Sequence, residues 1–493
     1  MATTVVSSPG KVLVSGGYLV LDPKYSGTVV STSSRFYTVI RSGSSTGKNF
    51  IRVRSPQFLG ATWDYAFSED QGKVIVIASP NNASKNRFVH LALQNTLALA
   101  SEISGITSVT ETLARGLDIA IVGDNDFYSQ REKLAELNLP RTLSSLQHIE
   151  PFTPTGVPLS KVHKTGLGSS ASLITSLVSA LLLHFHSIPP TSLEDPSSAG
   201  RLLAHNLAQY VHCLAQGKVG SGFDVAAAVF GSHRYTRFNP AVLHGLMNDE
   251  ALRAQPLSPI LAPTNYLWDY AIQPFKLPPL TRLMLADVDA GSDTPSLVGK
   301  VLKWRTETLT LWTSVDKLNT HLAQVLRELS ELHDVDKEVY TDAVKYIASL
   351  QPIQWGFTNP LESPESTTII SKFYEAHGVS QSIRAHMRSM GERSGVPIEP
   401  REQTQLLDAC VSLAGVIGGG VPGAGGYDAI WLLVCDPVDA SPDVHPHVRV
   451  EKVWSEYTAL DVSPLSVVES LAGGARVEDL ELIPGLKEAT RLV

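Results

Sequence analysis

Lys164-Thr165-Gly166-Leu167-Gly168-Ser169-Ser170-Ala171-Ser172 runs straight into the apolar stretch Leu173–Phe185. Two glycines let the backbone pass close to a bulky group. The free N–H groups and positive dipole end of the helix that follows then face an anion. Ser169 and Ser170 add hydroxyls that can cap the helix, bind phosphate oxygens or reach a magnesium ion. The Gly-Lys-Ser/Thr ending of a Walker A loop is missing. A glycine turn with a serine N-cap fits the same residues, so this segment alone leaves both readings open.

Working outward, Ser198–Gln216 places Ala199, Leu202, Leu203, Asn206, Leu207, Tyr210 and Leu214 on one helical face, with Gly217 as its stop. His205 and His212 lie beside that stripe and read as satisfied core histidines. Lys218-Val219-Gly220-Ser221-Gly222-Phe223-Asp224 follows. Asp224 could orient or deprotonate an acceptor group, or cap a helix beginning at Val225. Ser8-Pro9-Gly10-Lys11 opens a strand closed by Gly16-Gly17-Tyr18, and Gly418–Gly426 is broken only by Val421, Pro422 and Ala424. Such a loop binds phosphate or lets chain segments pack closely. Gly291-Ser292-Asp293-Thr294-Pro295-Ser296 offers hydroxyls at a strand-to-helix junction, or a plain N-cap with proline in the first turn.

The 493 residues suggest two to three domains, and 43% apolar residues are enough for a sizeable core. A net charge of −8 argues against a non-specific nucleic-acid binder. Three scattered cysteines build neither a disulfide framework nor a metal site, which fits a reducing, cytoplasmic setting. The N-terminus lacks a secretory pattern, and neither long uncharged stretch reads as a membrane span. The fifteen histidines show no H-E-x-x-H or other metal-ligand spacing, and no Gly-x-Ser-x-Gly elbow is present, which argues against zinc chemistry and serine hydrolysis. Residues 10 to 75 read as strands with a hairpin loop at Gly43–Gly47. Six prolines between Pro256 and Pro279 mark a boundary. The expectation is an α+β fold with domains 1–265 and 266–493.

The order of these segments resembles the three motifs of the GHMP kinases: SPGKVLVSGGYLVLD (Ser8–Asp22), KTGLGSSA (Lys164–Ala171) and GVIGGGVPGAGGYD (Gly415–Asp428). GKVGSGFDVAAAVFGSHRY (Gly217–Tyr235) and LADVDAGSDT (Leu285–Thr294) narrow the resemblance to the fungal-type phosphomevalonate kinase family. It implies an active-site cleft between two domains, with ATP and magnesium phosphorylating 5-phosphomevalonate. Lys11 and Asp224 would be catalytic. Lys164, Gly166, Leu167, Gly168, Ser169, Ser170 and Ala171 would hold ATP phosphates, with Ser170 also on magnesium. Tyr18, Lys218, Ser221, Gly222, Ser292 and Thr294 would meet the substrate, and Gly423, Gly425 and Gly426 would form the third motif. The chain departs from the common pattern at Ser8, Gly17 and Val162, where relatives have Ala, Glu and Pro. It also shows no counterpart of the helix glutamate that binds magnesium in some relatives. The resemblance further implies a soluble monomer or homodimer. Other readings within the superfamily are a kinase acting on a hydroxyl or a diphosphate decarboxylase, and outside enzymology an inactive ligand sensor.

Overall fold

The computed structural model describes residues 3–43, 49–247, 255–288, 294–305, 309–357, 363–438, 441 and 445–491. Ser292, the side chain of Thr294 and most of the Gly43–Gly47 loop lie outside the described residues.

The strands are β1 (Thr3–Ser15), β2 (Ser26–Ser42), β3 (Ile51–Arg54), β4 (Thr62–Asp70), β5 (Lys73–Ala78), β6 (Leu117–Gly123), β7 (His233–Thr236), β8 (Ala271–Pro274), β9 (Thr281–Val288), β10 (Val416–Gly420), β11 (Ala429–Cys435), β12 (Val462–Leu465) and β13 (Arg476–Val477). The first sheet runs β13-β1-β2-β6-β3-β4-β5, with β7 on β2 and β8 on β7. The length of β2 lets it serve three neighbours. It pairs with β1 along most of its course, with β7 through Ser26–Val29 and with β6 through Phe36–Ser42.

No hairpin joins β2 to β3. β6 lies between them, antiparallel to β2 and parallel to β3. Turn residues signal where a chain bends, not which strand becomes its neighbour. The almost wholly apolar β6 is buried along its entire length, which is the signature of a central strand. Its one carboxylate, Asp118, is held by Arg54 at 2.7 Å and 2.8 Å. In β3, Ile51 and Val53 are fully buried while Arg52 and Arg54 stay half-exposed, as the alternation predicts.

Among the helices that lie with this sheet are α1 (Arg87–Ser104), α2 (Ser169–His184), α3 (Ala199–Gln216) and α4 (Phe223–Phe230). α2 packs on β1 and β2 and is buried around nearly its whole circumference. α3 starts at Ser198, whose hydroxyl accepts from the Arg201 N–H, and stops at left-handed Gly217, as read from the sequence.

The second sheet, β10-β11-β9-β12, is antiparallel throughout. It packs with α6 (Pro364–Ser394), α7 (Arg401–Val411) and α8 (Pro446–Glu456), while α5 (Leu309–Val335) packs on α6 and on β2 of the first sheet. β8 and β13 belong to the first sheet, so a cut at 265/266 does not separate the two sheets. The tail after β12 also returns to the first sheet, where Ser33 N–H donates to Val468 and Ser470 N–H to Ser31. One apolar core runs from Val6 and Val12 of β1 through Leu322 and Leu326 of α5 to Trp431 of β11. The two sheets are thereby fixed against each other, and the clefts between them have defined walls.

Candidate active site

β1 passes directly over the turn that precedes α2. A Cβ on Gly10 would sit 2.7 Å from Thr32 Oγ1 and 3.1 Å from the Leu167 carbonyl, so only glycine permits this approach. The next residue, Lys11, donates its backbone N–H to Leu167 O and its Nζ to Gly166 O, both at 2.9 Å. Its ammonium lies 5.5 Å from the centre of the Phe223 ring. Burial lowers the affinity of Lys11 for its proton, and the charges of Asp224 and then Asp428 oppose that shift.

Gly168 occupies the N-cap of α2 in the left-handed region, φ +79°. The serine-cap alternative therefore does not apply: Ser169 and Ser170 fall in the first turn, with no side-chain cap. A Cβ at Gly168 would also stand 2.9 Å from Lys11 Cε. Leu167 and Ala171 are buried, so they can present only backbone outward. Lys164 is exposed, bridges Tyr128 through its backbone and does not line the cavity described below.

Asp224 is not the cap of its helix either. Gly222 takes that place at φ +88°, and Asp224 sits in the first turn of α4. A Cβ on Gly222 would come within 2.7 Å of both Gln209 Oε1 and the Tyr235 hydroxyl. The loop before it is braced by Arg237, whose guanidinium donates to the carbonyls of Leu21, Val219 and Gly220. Asp224 Oδ2 is 3.8 Å from His212 Nε2, and the same nitrogen lies 3.1 Å from Ser170 Oγ and 3.2 Å from Gln216 Nε2.

The glycine loop after β10 closes the opposite wall. Gly423, Gly425 and Gly426 all have positive φ. Gly426 N–H donates to Ile398 O at 3.0 Å, and the Tyr18 hydroxyl donates to Ala424 O at 2.5 Å. Tyr18 thus uses its hydroxyl to tie the segment after β1 to this loop.

These segments enclose a cavity of about 350 Å³. Lys11, Tyr18, Gly166, Gly168, Lys218, Ser221, Gly222, Asp224, Gly423 and Gly425 all line it. Ser169, Ser170 and Gly426 are not among its lining residues, although Ser170 reaches the lining residue His212 through its hydroxyl. Polar and charged residues that sequence reasoning missed also line it, among them Gln209, His212, Gln216, Arg237 and Asp428. His205 is a core histidine as expected, fully buried among Phe230, Trp268 and Tyr270. His212 is equally buried but faces the cavity, which corrects its reading as core. Seven residues place it two turns beyond His205 on the same helical face, so no local signal separates the two. What differs is the helix end, which for His212 meets Lys218–Asp224.

Chemically, the arrangement sets a buried ammonium, a second lysine and a guanidinium beside two carboxylates and the N-terminus of α2. This is a pocket for anions that also carries acids able to orient a cation or a proton.

Residues 146–232 match the model of the GHMP kinases N terminal domain. The chain is 38% identical to a phosphomevalonate kinase of Aspergillus fumigatus over 482 residues, covering 90% of this chain and 88% of that protein. It is also 38% identical to a peroxisomal phosphomevalonate kinase of Arabidopsis thaliana, covering 92% and 93%. The crystal structure of Streptococcus pneumoniae phosphomevalonate kinase in complex with phosphomevalonate and AMPPNP shares the fold, with a TM-score of 0.54 at 16% identity over 95% of this chain and 100% of that one.

Proposed function

The chain belongs to the phosphomevalonate kinase family, and from that premise we propose that it transfers the γ-phosphoryl group of ATP to (R)-5-phosphomevalonate. The products are ADP and (R)-5-diphosphomevalonate, a step of the mevalonate route to isoprenoids and sterols. One observation carries the residue assignment: Lys11, the Gly166–Gly168 turn, Asp224 and the Gly423–Gly425 loop come from four distant segments and border one cavity.

An acceptor phosphate oxygen bonds to the γ-phosphorus, and the bond from that phosphorus to the β–γ bridging oxygen breaks. The transition state is loose, so positioning and charge neutralisation dominate. A phosphate monoester has its second pKa near ~6 and is already mostly dianionic at neutral pH. A strong general base is therefore unnecessary. The harder task is holding two polyanions together. Lys11 and Lys218 meet that need with their charges, and the first-turn N–H groups of Ser169 and Ser170 add oriented donors. Asp224 acts on Lys11 through its charge and orients the acceptor. Tyr18 positions the glycine loop, and Ser221 and Gly222 shape the acceptor side.

ATP brings magnesium in this reading. The Ser170 hydroxyl and the Asp224 carboxylate lie 3.1 Å and 3.8 Å from one nitrogen, His212 Nε2, so a hydroxyl and a carboxylate border the same imidazole. Such a pair fits magnesium, which takes one or two carboxylates plus substrate phosphates. When bound, the ion offsets charge on the β- and γ-phosphoryl oxygens.

We assign two lobes, each built on one sheet. Among the described residues no helix is long and apolar enough to cross a membrane. All three cysteines are free and buried, consistent with the cytoplasm. Cell fractionation tests that placement against the peroxisome named for the Arabidopsis relative.

The reaction is tested by incubating the protein with ATP and magnesium plus either mevalonate or 5-phosphomevalonate and following ³¹P NMR. Diphosphate signals from 5-phosphomevalonate alone are expected. Phosphorylation of mevalonate instead would overturn the proposal.

A further inference from the structure

The far end of β11 carries a second cluster of chemically active groups. Asp436 follows the strand directly, and its backbone N–H donates to Leu280 O at 2.7 Å. His445 caps α8 and His447 lies in its first turn, with Pro446 between them. That helix start is held firmly: Arg449 donates to Ala348 O at 2.8 Å, and Gly415 packs so tightly on Pro446 that an added Cβ would meet Pro446 Cγ at 2.4 Å.

Both imidazoles aim Nδ1 at one oxygen, Asp436 Oδ1, from 3.8 Å and 3.9 Å. These distances are too long for hydrogen bonds. Both Nδ1 atoms are nevertheless buried and have no hydrogen-bond partner. Leaving a buried polar atom unsatisfied is costly, so two converging on one carboxylate require an explanation.

We propose that Asp436, His445 and His447 form a binding site for a divalent transition-metal ion of the zinc type. The three ligand atoms lie within 4.8 Å of one another. A point equidistant from them is then no more than about 2.5 Å from each, and inward movement of about 0.3–0.4 Å per ligand gives normal zinc distances. Asp436 is half-exposed and free to make that movement.

The chemistry selects the ion. Two imidazole nitrogens and one carboxylate suit Zn²⁺, Co²⁺ or Ni²⁺ and are poor for magnesium or calcium. The positive end of α8 and the nearby charge of Arg282 both oppose a weakly held cation. Only an ion making strong bonds to nitrogen overcomes them. The site is distinct from the cavity: Asp436 lies eight residues beyond Asp428, about 25 Å along an extended strand. Its effect would be structural, joining the end of β11 to the start of α8.

The test uses the full-length protein without nucleotide. Co²⁺ is titrated while the visible d–d absorption is followed, and Zn²⁺ affinity is measured against a chromophoric chelator. One equivalent is expected to bind and to give a cobalt band displaced by Zn²⁺. Loss of an outer-shell partner alone weakens metal sites by about 10–100-fold, so His445→Ala and His447→Ala should each weaken binding at least about 100-fold. Asp436→Asn, a near-isosteric change in a half-exposed residue, provides the same test should a histidine variant fail to fold. Equal Co²⁺ and Zn²⁺ binding in wild type and Asp436→Asn, or no bound equivalent in wild type, would overturn the proposal.

Discussion

β11 starts at one site and ends at another, and the two differ in how they are assembled. At its first residues, Asp428 and Ala429 face a cavity whose other walls come from residues as distant as Lys11 and Gly166. At its far end, Asp436, His445 and His447 come from a single short stretch of chain. The cavity gathers backbone N–H groups, glycine turns and separated cations, because a polyanion must be surrounded. The cluster needs only three lone pairs aimed at one point, which a strand end and one helical turn supply. An anion site is therefore a property of the whole fold, whereas a metal site can be nearly local.

The largest expected effect is at the cavity. Lys11→Ala should lower kcat by about 10²–10³, the usual loss when a preorganised electrostatic donor is removed. Asp224→Asn should cost less, because the acceptor needs no strong base. A larger loss for Asp224→Asn in steady-state kinetics would instead indicate proton abstraction.

Gly168→Ala should come next. The new methyl would meet Lys11 Cε at 2.9 Å on a backbone with φ +79°. A displaced lysine should lower kcat by about 10–100-fold, since misplacement of about 1 Å can cost 10². Unchanged kcat in this variant would mean that Lys11 does not act from its observed position.

Arg237→Met removes the brace on three carbonyls and should raise KM for the acceptor about tenfold, with a smaller change in kcat. By contrast, His447→Ala should leave both kcat and KM within about twofold of wild type, because its surroundings are remote from the cavity. A large kinetic effect there would show the two ends of β11 to be coupled.

The smallest effect concerns pH. Burial holds His205 and His233 down at about 4. Between that value and the ordinary 6.5 the unfolded chain takes up protons that the folded chain refuses. Stability from these two histidines is thus complete above pH 6.5 and is lost as pH falls towards 4. Asp124, raised to about 7 by burial, works in the opposite sense, losing its contribution as pH rises through that value. Imidazole NMR signals for His205 and His233 should not titrate above about pH 5. Titration of either near 6.5 would contradict the burial described.

Local physics made several elements legible. The alternation in β3, the amphipathic face and glycine stop of α3 and the glycine turn before α2 all depend on residues within a few positions of one another. Strand order was not legible, because β6 inserts between β2 and β3 through contacts with segments far away in the chain. His212 shows the same limit within one helix. It shares the amphipathic pattern of His205, yet one points into packed aromatics and the other into a cavity, and only the placement of α4 separates them.

The sequence by itself determined where the backbone must bend, which helices and strands form and, through the order of its motifs, the family to which the chain belongs. These follow from steric limits at glycine, hydrophobic periodicity and motif resemblance. The tertiary structure alone decided that Gly168 rather than a serine caps α2, that Arg237 braces the acceptor loop, and that Asp428 lines the same cavity as Lys11. Each of those depends on which surfaces pack together, and packing is settled by burying the whole chain at once rather than by any stretch of it.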